Sequence, residues 1–189
     1  MIYISRGEIA SEKEMTVLFR NEEYCLSPAA WKCWINGTEG FKVVAKSLFS
    51  DNYSTLYQLE EKGLIALSAG DTSDLNLEKY LALSRSILLY KPKKVLGFIN
   101  QSELFVARWI REAPFSLMAE EIVFILEHNI EPTPNLLGSA NKQEFAAKVY
   151  PDGKIENNAL VRRMASAKNR DIAVSIILSL MKKGYIVLN

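Results

Sequence analysis

Histidine and cysteine are nearly missing from this chain. His128, Cys25 and Cys33 are its whole supply. A zinc site built from Cys and His alone needs more ligands than that. Two cysteines allow one bridge at most, so a disulfide-stapled secreted scaffold is not expected. Charge of one sign is also lacking: 23 Lys and Arg stand against 22 Asp and Glu, a formal net of +1. Binding to nucleic acid or to an anionic membrane would therefore need a local patch, because the bulk field is close to zero. Long apolar runs are absent as well. The most apolar segment, Ile172 to Met181, is about ten residues long, and a membrane span needs roughly 20. Met1 to Arg6 has neither the basic region nor the apolar stretch of a secretion signal. A cytoplasmic protein with no membrane partner is expected. No Walker A loop, GxGxxG, nucleophile elbow or HExxH occurs. These absences together predict a non-catalytic protein with no cofactor and no metal.

What is present predicts folded, globular structure. Of 189 residues, 49% are apolar and 24% charged, a balance that supports one ordinary domain or two small ones. Residues 2–4, 15–19 and 24–26 are short and rich in β formers, and read as strands. Ser27-Pro28 opens a helix, since Ser can cap and Pro sits where its missing N–H costs nothing. Ala30, Trp31, Trp34 and Ile35 form its apolar face, and Asn36-Gly37 ends it. A second helix is expected from Thr38 or Glu39 through Val43, Val44 and Leu48. A third carries Tyr53, Leu56, Tyr57 and Leu59 at helical spacing and stops at Gly63. The strand Leu64 to Leu67 follows. Residues 68–74 read as a linker. Beyond it, helices are expected from Leu77 to Tyr90, from a Ser102 cap to about Arg111, and from a Ser116 cap through Ile125. Further helices are expected over Asn141 to Val149, from Asn158 through Met164, and over residues 170–183. Tyr185 to Leu188 closes as a strand.

The chain contains an echo of itself. Leu59-Glu60-Glu61-Lys62-Gly63-Leu64-Ile65-Ala66-Leu67 parallels Leu180-Met181-Lys182-Lys183-Gly184-Tyr185-Ile186-Val187-Leu188. In both, a helix ends at a glycine able to take the left-handed conformation and the chain reverses into an apolar strand. The order of strands, three helices and a returning strand is that of a winged helix. The fold expected is α+β, mainly α: one winged-helix domain over 1–70, a helical connector over 71–113 and a second winged-helix domain over 114–189.

Residues 1–68 also resemble the PqqD-like peptide-recognition domains found with enzymes that modify ribosomally made peptides. The resemblance rests on the early hairpin, on Glu23-Tyr24-Cys25-Leu26-Ser27 leading into Ala29-Ala30-Trp31, and on Trp34-Ile35-Asn36-Gly37. It continues in Val43-Val44-Ala45-Lys46-Ser47-Leu48 and in the Leu59 to Leu67 ending. It covers about a third of the chain. It implies that a leader peptide adds as a strand beside the hairpin and lies against the third helix, with backbone bonds giving affinity and side-chain pockets giving specificity. Carried over, Thr16, Val17 and Leu18 belong to the receiving strand, and Asn52, Thr55, Tyr57 and Lys62 to the opposing helix.

The alternative is a transcription regulator that contacts duplex DNA. A winged helix lays its third helix in the major groove, where Arg, Lys, Asn and Gln reach base edges. Residues 51–62 carry Asp51, Glu60 and Glu61 against Lys62, which repels phosphate. The second copy instead clusters Arg162, Arg163, Lys168, Asn169 and Arg170. A solvated cationic face is the plain alternative there. Whether the protein forms a homodimer stays open. His128 reads as a helix-end residue and Cys25 and Cys33 as unlinked thiols. Glu60-Glu61 and Glu120-Glu121 read as solvated pairs whose side chains diverge. Trp31, Trp34 and Trp109 read as core.

Overall fold

The computed structural model describes residues 1–44, 51–70, 72–92, 99–150, 153 and 157–189. They form an α+β structure in two compact units. One is Met1–Leu83 with Val187–Asn189, and the other is Ser84–Ile186. Residues 71–83, expected in a connector, thus belong to the first unit, and 84–113 to the second.

The first unit is built round β1 (Ile2–Ser5), an Ile-Tyr-Ile-Ser run buried along its whole length. It lies between β5 (Lys42–Val43) and β6 (Ile65–Ser68), antiparallel to both. A second sheet is the meander β2 (Glu8–Ser11), β3 (Thr16–Phe19) and β4 (Glu22–Cys25), in that order. Arg20 and Asn21 join β3 to β4 with φ of 52° and 65°. Two positive φ values in a two-residue loop are what a type I′ hairpin turn requires, because its twist matches that of the strands.

Helix α1 (Pro28–Asn36) starts as its sequence dictates: the Ser27 hydroxyl accepts from the Ala30 N–H at 3.3 Å, and proline fills the first turn. Its C-terminal carbonyls are covered by β1, with the Tyr3 hydroxyl donating to Cys33 O (2.9 Å) and the Ser5 hydroxyl to Trp34 O (2.5 Å). Trp34 is fully buried, and its Nε1–H is shared between Arg6 O (2.9 Å) and Leu64 O (3.1 Å). Around it close Tyr3, Val17, Phe19, Leu56, Leu59 and Leu64. Helix α2 (Asp51–Glu61) ends at Gly63, with φ of 73°.

The expected helix from Thr38 or Glu39 to Leu48 does not form over its first half. Residues Gly37–Glu39 make one 3₁₀ turn, Gly40 takes φ of 134°, and Lys42–Val43 pairs with β1 as β5. Glycine at that φ breaks the helix, and β-branched Val43 suits a strand. Residues 45–50 of that expectation lie outside the described residues. Helix α3 (Leu75–Leu83) completes the unit. Glu78 on it is buried. Its carboxylate closes the 68–74 loop by accepting the Ser68 hydroxyl and the N–H groups of Gly70 (3.1 Å) and Thr72 (2.9 Å).

The second unit opens on β7 (Ile87–Tyr90), where a helix reaching Tyr90 was expected. Arg85 takes φ of 66°, which stops helical continuation, and Ile87–Tyr90 becomes the middle strand of a sheet. Its neighbours are β8 (Leu117–Met118) and β9 (Ile186–Leu188). Helix α4 (Gln101–Glu112) is capped by Asn100, not Ser102. The Asn100 side chain accepts from Glu103 N–H, and Glu103 answers by accepting from Asn100 N–H, both at 2.9 Å. Then come α5 (Ala119–Glu127), α6 (Pro134–Leu137), α7 (Lys142–Val149), α8 (Asn157–Ala165) and α9 (Arg170–Lys182). Met118, not Ser116, holds the N-cap position of α5, and Glu121 accepts its N–H at 2.8 Å.

The sequence echo has a structural counterpart. In the sheets β5-β1-β6 and β8-β7-β9 the first strand in chain order is central. One neighbour of the central strand is a two-residue strand placed after a helix, and the other follows the glycine-ended helix, the last of these, β9, lying mostly in the segment grouped with the first unit. The corners match bond for bond. Gly63 N–H donates to Glu60 O (2.7 Å) and Leu64 N–H to Leu59 O (2.9 Å). Gly184 N–H donates to Met181 O (2.8 Å) and Tyr185 N–H to Leu180 O (2.9 Å). This is the paired bonding of a Schellman cap.

Candidate functional site

The receiving strand was expected among Thr16, Val17 and Leu18. The structure moves the open edge by one strand. β3 is the middle of its sheet and is paired on both sides, to β2 through Glu8↔Leu18 and Ile9↔Val17, and to β4 through all four of its residues. A paired strand has no donors or acceptors left for another chain. Thr16 and Val17 are buried, and only Leu18 faces outward. The strand that displaces the expectation is β2, whose Glu-Ile-Ala-Ser sequence carries one β-branched residue and no regular alternation.

The meander therefore has two edges, and they differ. β2 is irregular, with a register shift between Ile9 and Ser11. Bulges of this kind are a common way to blunt an edge against pairing. β4 runs in unbroken register from Phe19↔Glu22 to Thr16↔Cys25 and has neither proline nor lysine. Because the Arg20-Asn21 turn makes Phe19↔Glu22 the first hydrogen-bonded pair, alternation turns the main-chain N–H and C=O of Glu23 and Cys25 away from β3. Among the described residues no strand pairs with that outer edge.

Side chains along β4 alternate as well. Glu22 and Tyr24 share the face of Phe19 and Val17, and the Tyr24 hydroxyl donates to Glu22 Oε2 at 2.7 Å. Tyr24 packs half-buried against the core. Glu23 lies on the opposite, outward face in a row with Leu18 and Glu8. That row sets an exposed leucine between two carboxylates. On α2, Leu56 and Leu59 enter the same core as Val17 and Phe19, so Tyr57 points outward and is exposed, Thr55 is half-buried, and Lys62 is exposed just past the helix. Asn52 falls on α2, with its side chain outside the description. Of the expected β3 residues, then, Thr16 and Val17 are buried and Leu18 alone is exposed.

The basic cluster of the second unit is divided in its roles. Arg162 and Arg163 on α8, and Lys168 in the following turn, are exposed. Arg163 also lies over the Phe124 ring at 5.8 Å. Asn169 is committed: its N–H donates to Glu127 Oε2 (2.8 Å) and its side-chain amide to Leu126 O (3.3 Å). Arg170 donates to Asp171 (2.7 Å) and to Ala165 O (2.7 Å). These two fasten the turn between α8 and α9. The charge nonetheless separates. The first unit holds eight Lys and Arg against twelve Asp and Glu, and the second holds fifteen against ten, giving −4 and +5.

Glu120 and Glu121, expected to be solvated, are both fully buried. Glu120 accepts the Arg85 N–H at 2.8 Å, and Glu121 pairs with Lys142 at 3.0 Å. At a helix start, adjacent side chains can reach to different main-chain donors, and that is how both enter the interior. Burial pushes both carboxyls up. Arg85 N–H and Lys142 oppose that at Glu120, and Lys142 and Met118 N–H at Glu121. Among the described residues, one oxygen of each and the Tyr150 hydroxyl have no hydrogen-bond partner. Burial, then the two nearby carboxylates, push the Tyr150 phenol upward.

His128 is exposed at the end of α5 with its ring 4.3 Å from that of Phe124. Cys25 and Cys33 are free thiols, and burial pushes the Cys33 thiol up, away from the reactive thiolate. Trp109 is buried like Trp34, and Trp31 stacks on Trp34 at 5.6 Å. A shallow depression of about 250 Å³ beside Gln101, Phe105 and Glu131 is smaller than the roughly 300–1,000 Å³ typical of small-molecule sites. Among the described residues, no group of three or more His, Cys, Asp or Glu is placed to hold a metal, and no helix is long and apolar enough to cross a membrane.

No family model, curated protein or solved structure matches this chain.

Proposed function

We propose that the protein is a non-catalytic recognition protein of two winged-helix units whose N-terminal unit captures an extended peptide by strand addition. The observation that carries this reading is the outer edge of β4, unpaired among the described residues, regular in register and without bulge, proline or lysine. An incoming strand would bond to the outward main-chain groups of Glu23 and Cys25 and set alternate side chains beside Tyr24 and Glu23. The resemblance to PqqD-like domains makes a leader segment of a modified ribosomal peptide the most concrete ligand. Cys25→Pro tests the reading. It removes an outward donor while leaving the β3 ladder intact, a position where an edge strand tolerates proline. Peptide affinity is expected to fall by about fivefold to about a hundredfold, since a buried main-chain bond lost with its partner left unpaired costs on the order of 1–3 kcal/mol. Unchanged affinity in a folded Cys25→Pro protein would refute strand addition at β4.

A second reading, contact with duplex DNA, draws on the +5 charge of the second unit and on exposed Arg162, Arg163 and Lys168. With Asn169 and Arg170 committed to the fold, the remaining cations suit phosphate more than base edges. Binding would then be insensitive to sequence and steeply salt-dependent. Removing Arg162 and Lys168 together would lower the salt slope by about 2. Absence of binding to duplex DNA at low salt would remove this reading.

A further inference from the structure

Granting the β4 edge as the binding site, we propose that its occupant is a basic extended segment, with Lys or Arg opposite Glu23 and an apolar side chain beside Tyr24. This rests on the strand-addition reading and adds the chemistry of the ligand.

The meander is acidic where the ligand would lie. Between Glu8 and Glu23 there are five glutamates against Lys13 and Arg20. Arg20 sets its guanidinium over the Phe19 ring at 5.0 Å, and Phe19 stands on the sheet face opposite to that of Glu23. On the outward face the row runs Glu8, Leu18, Glu23 across the three strands. A fourth strand continues that row, so its side chain beside Glu23 meets a carboxylate that has no ion pair among the described residues. Opposite charges across neighbouring strands attract, and like charges repel. The next position faces the Tyr24 ring, whose hydroxyl is already given to Glu22. An apolar group fits there, covering the ring at the margin of the core. The recognised pattern is thus alternating basic and apolar.

The same charges argue against the other simple occupant, a second copy of this chain. Pairing β4 with β4 about Glu23 would set that carboxylate directly against Glu23 of the other copy. Glutamate on an edge opposes self-association while leaving the edge open to a strand of opposite charge.

The test uses the full chain and fluorescein-labelled hexapeptides read by anisotropy at low salt. One alternates Lys and Val, one Thr and Val, and one Glu and Val; a fourth is the Lys–Val peptide with N-methylated backbone. The Lys–Val peptide is expected to bind roughly three- to tenfold more tightly than Thr–Val, from one or two cross-strand charge pairs, with Glu–Val weakest. Glu23→Lys should invert that order, and N-methylation should abolish binding of the basic peptide. If all three unmethylated peptides bind alike yet methylation still abolishes binding, strand addition stands and the basic assignment falls. A basic preference untouched by Glu23→Lys overturns the assignment to this site. If the methylated peptide binds as well as its parent, or no peptide binds, the strand-addition reading fails and the inference goes with it. A concentration-dependent dimer that Cys25→Pro abolishes would place a second copy on the edge and overturn the inference.

Discussion

Gly63 and Gly184 close the same turn in two units that agree in topology and disagree in charge. The sheets β5-β1-β6 and β8-β7-β9 both centre their first strand, and each unit anchors its first helix with a buried tryptophan whose Nε1–H is given to main-chain carbonyls: Trp34 to Arg6 O and Leu64 O, Trp109 to Ile130 O at 3.1 Å. Yet one unit carries −4 and the other +5. The first buries a single carboxylate among its described residues, Glu78, with its donors in place. The second buries Glu103, Glu120 and Glu121. Apolar positions and turn residues fix the topology, and they recur. Surface charge is free of that constraint, so it can differ in sign between the two units.

The tryptophans give the largest test of the comparison. Trp34→Ala or Trp109→Ala should each cost about 3–5 kcal/mol, the usual loss for a large buried ring. Native-state hydrogen exchange should show the loss of protection confined first to the unit that holds the mutation. Trp34→Ala should be the more damaging of the two, because its indole N–H serves two carbonyls where that of Trp109 serves one. Equal costs, or the reverse order, would mean that the two rings are not counterparts.

Buried carboxylates should make the units differ in their response to acid. Burial alone would raise Glu78, but hydrogen bonds from Ser68, Thr72 and Gly70 outweigh it and hold the group below the usual carboxylate range. A depressed group adds stability above its unfolded pKa, about 4.3 for Glu, and loses it as pH falls through the folded value. Glu120 and Glu121 are raised by burial. Their contribution is fullest below about 4.3 and is lost as pH rises through the raised folded values. Glu103 follows Glu78: its burial is outweighed by Lys183, at 2.7 Å from both oxygens, and by Ser179 and Asn100 N–H. Glu78→Gln should therefore destabilise by roughly 1–3 kcal/mol near neutral pH, with the gap narrowing in acid. Glu120→Gln should be neutral or stabilising near neutral pH, up to about 1 kcal/mol, as expected when a poorly paired buried charge is removed. Thermal melts across pH separate the two. A Glu120→Gln protein as damaged at neutral pH as Glu78→Gln would show that the Glu120 charge is well stabilised in place.

Local chemistry was legible where the residues needed were neighbours. Ser27-Pro28 announces α1, and both glycine corners can be read from a few residues. What escaped depends on distant partners. Lys42–Val43 becomes a strand only because β1 lies beside it, and Ile87–Tyr90 reads as more of the preceding helix until β8 and β9 flank it. The same blindness shifted the open sheet edge. Glu8–Ser11 is unremarkable alone, and its pairing with β3 is what carries the open edge from Thr16, Val17 and Leu18 to Glu22–Cys25. The burial of Glu120 and Glu121 was hidden for a related reason. Nothing adjacent in sequence shows that Arg85 N–H and Lys142 wait inside.

The glycine pair is the mildest test and the most direct one of whether the echo is structural. Both residues sit at positive φ, 73° and 69°, where a Cβ approaches the neighbouring backbone. Alanine at either position should cost about 1–2 kcal/mol from that strain alone. Gly63→Ala carries a further burden, since its new methyl would lie 3.1 Å from the Phe19 ring. Phe19 belongs to the buried cluster under β3, so it cannot swing aside without opening that core. Its cost should therefore sit at the upper end of that range. Denaturant melts of the two single variants and the double give the answer. If the corners are independent copies of one device, their costs should add to within about 0.5 kcal/mol. A cost near zero at either glycine would mean that its corner relaxes to another turn, and the correspondence between the two units would then be one of sequence only.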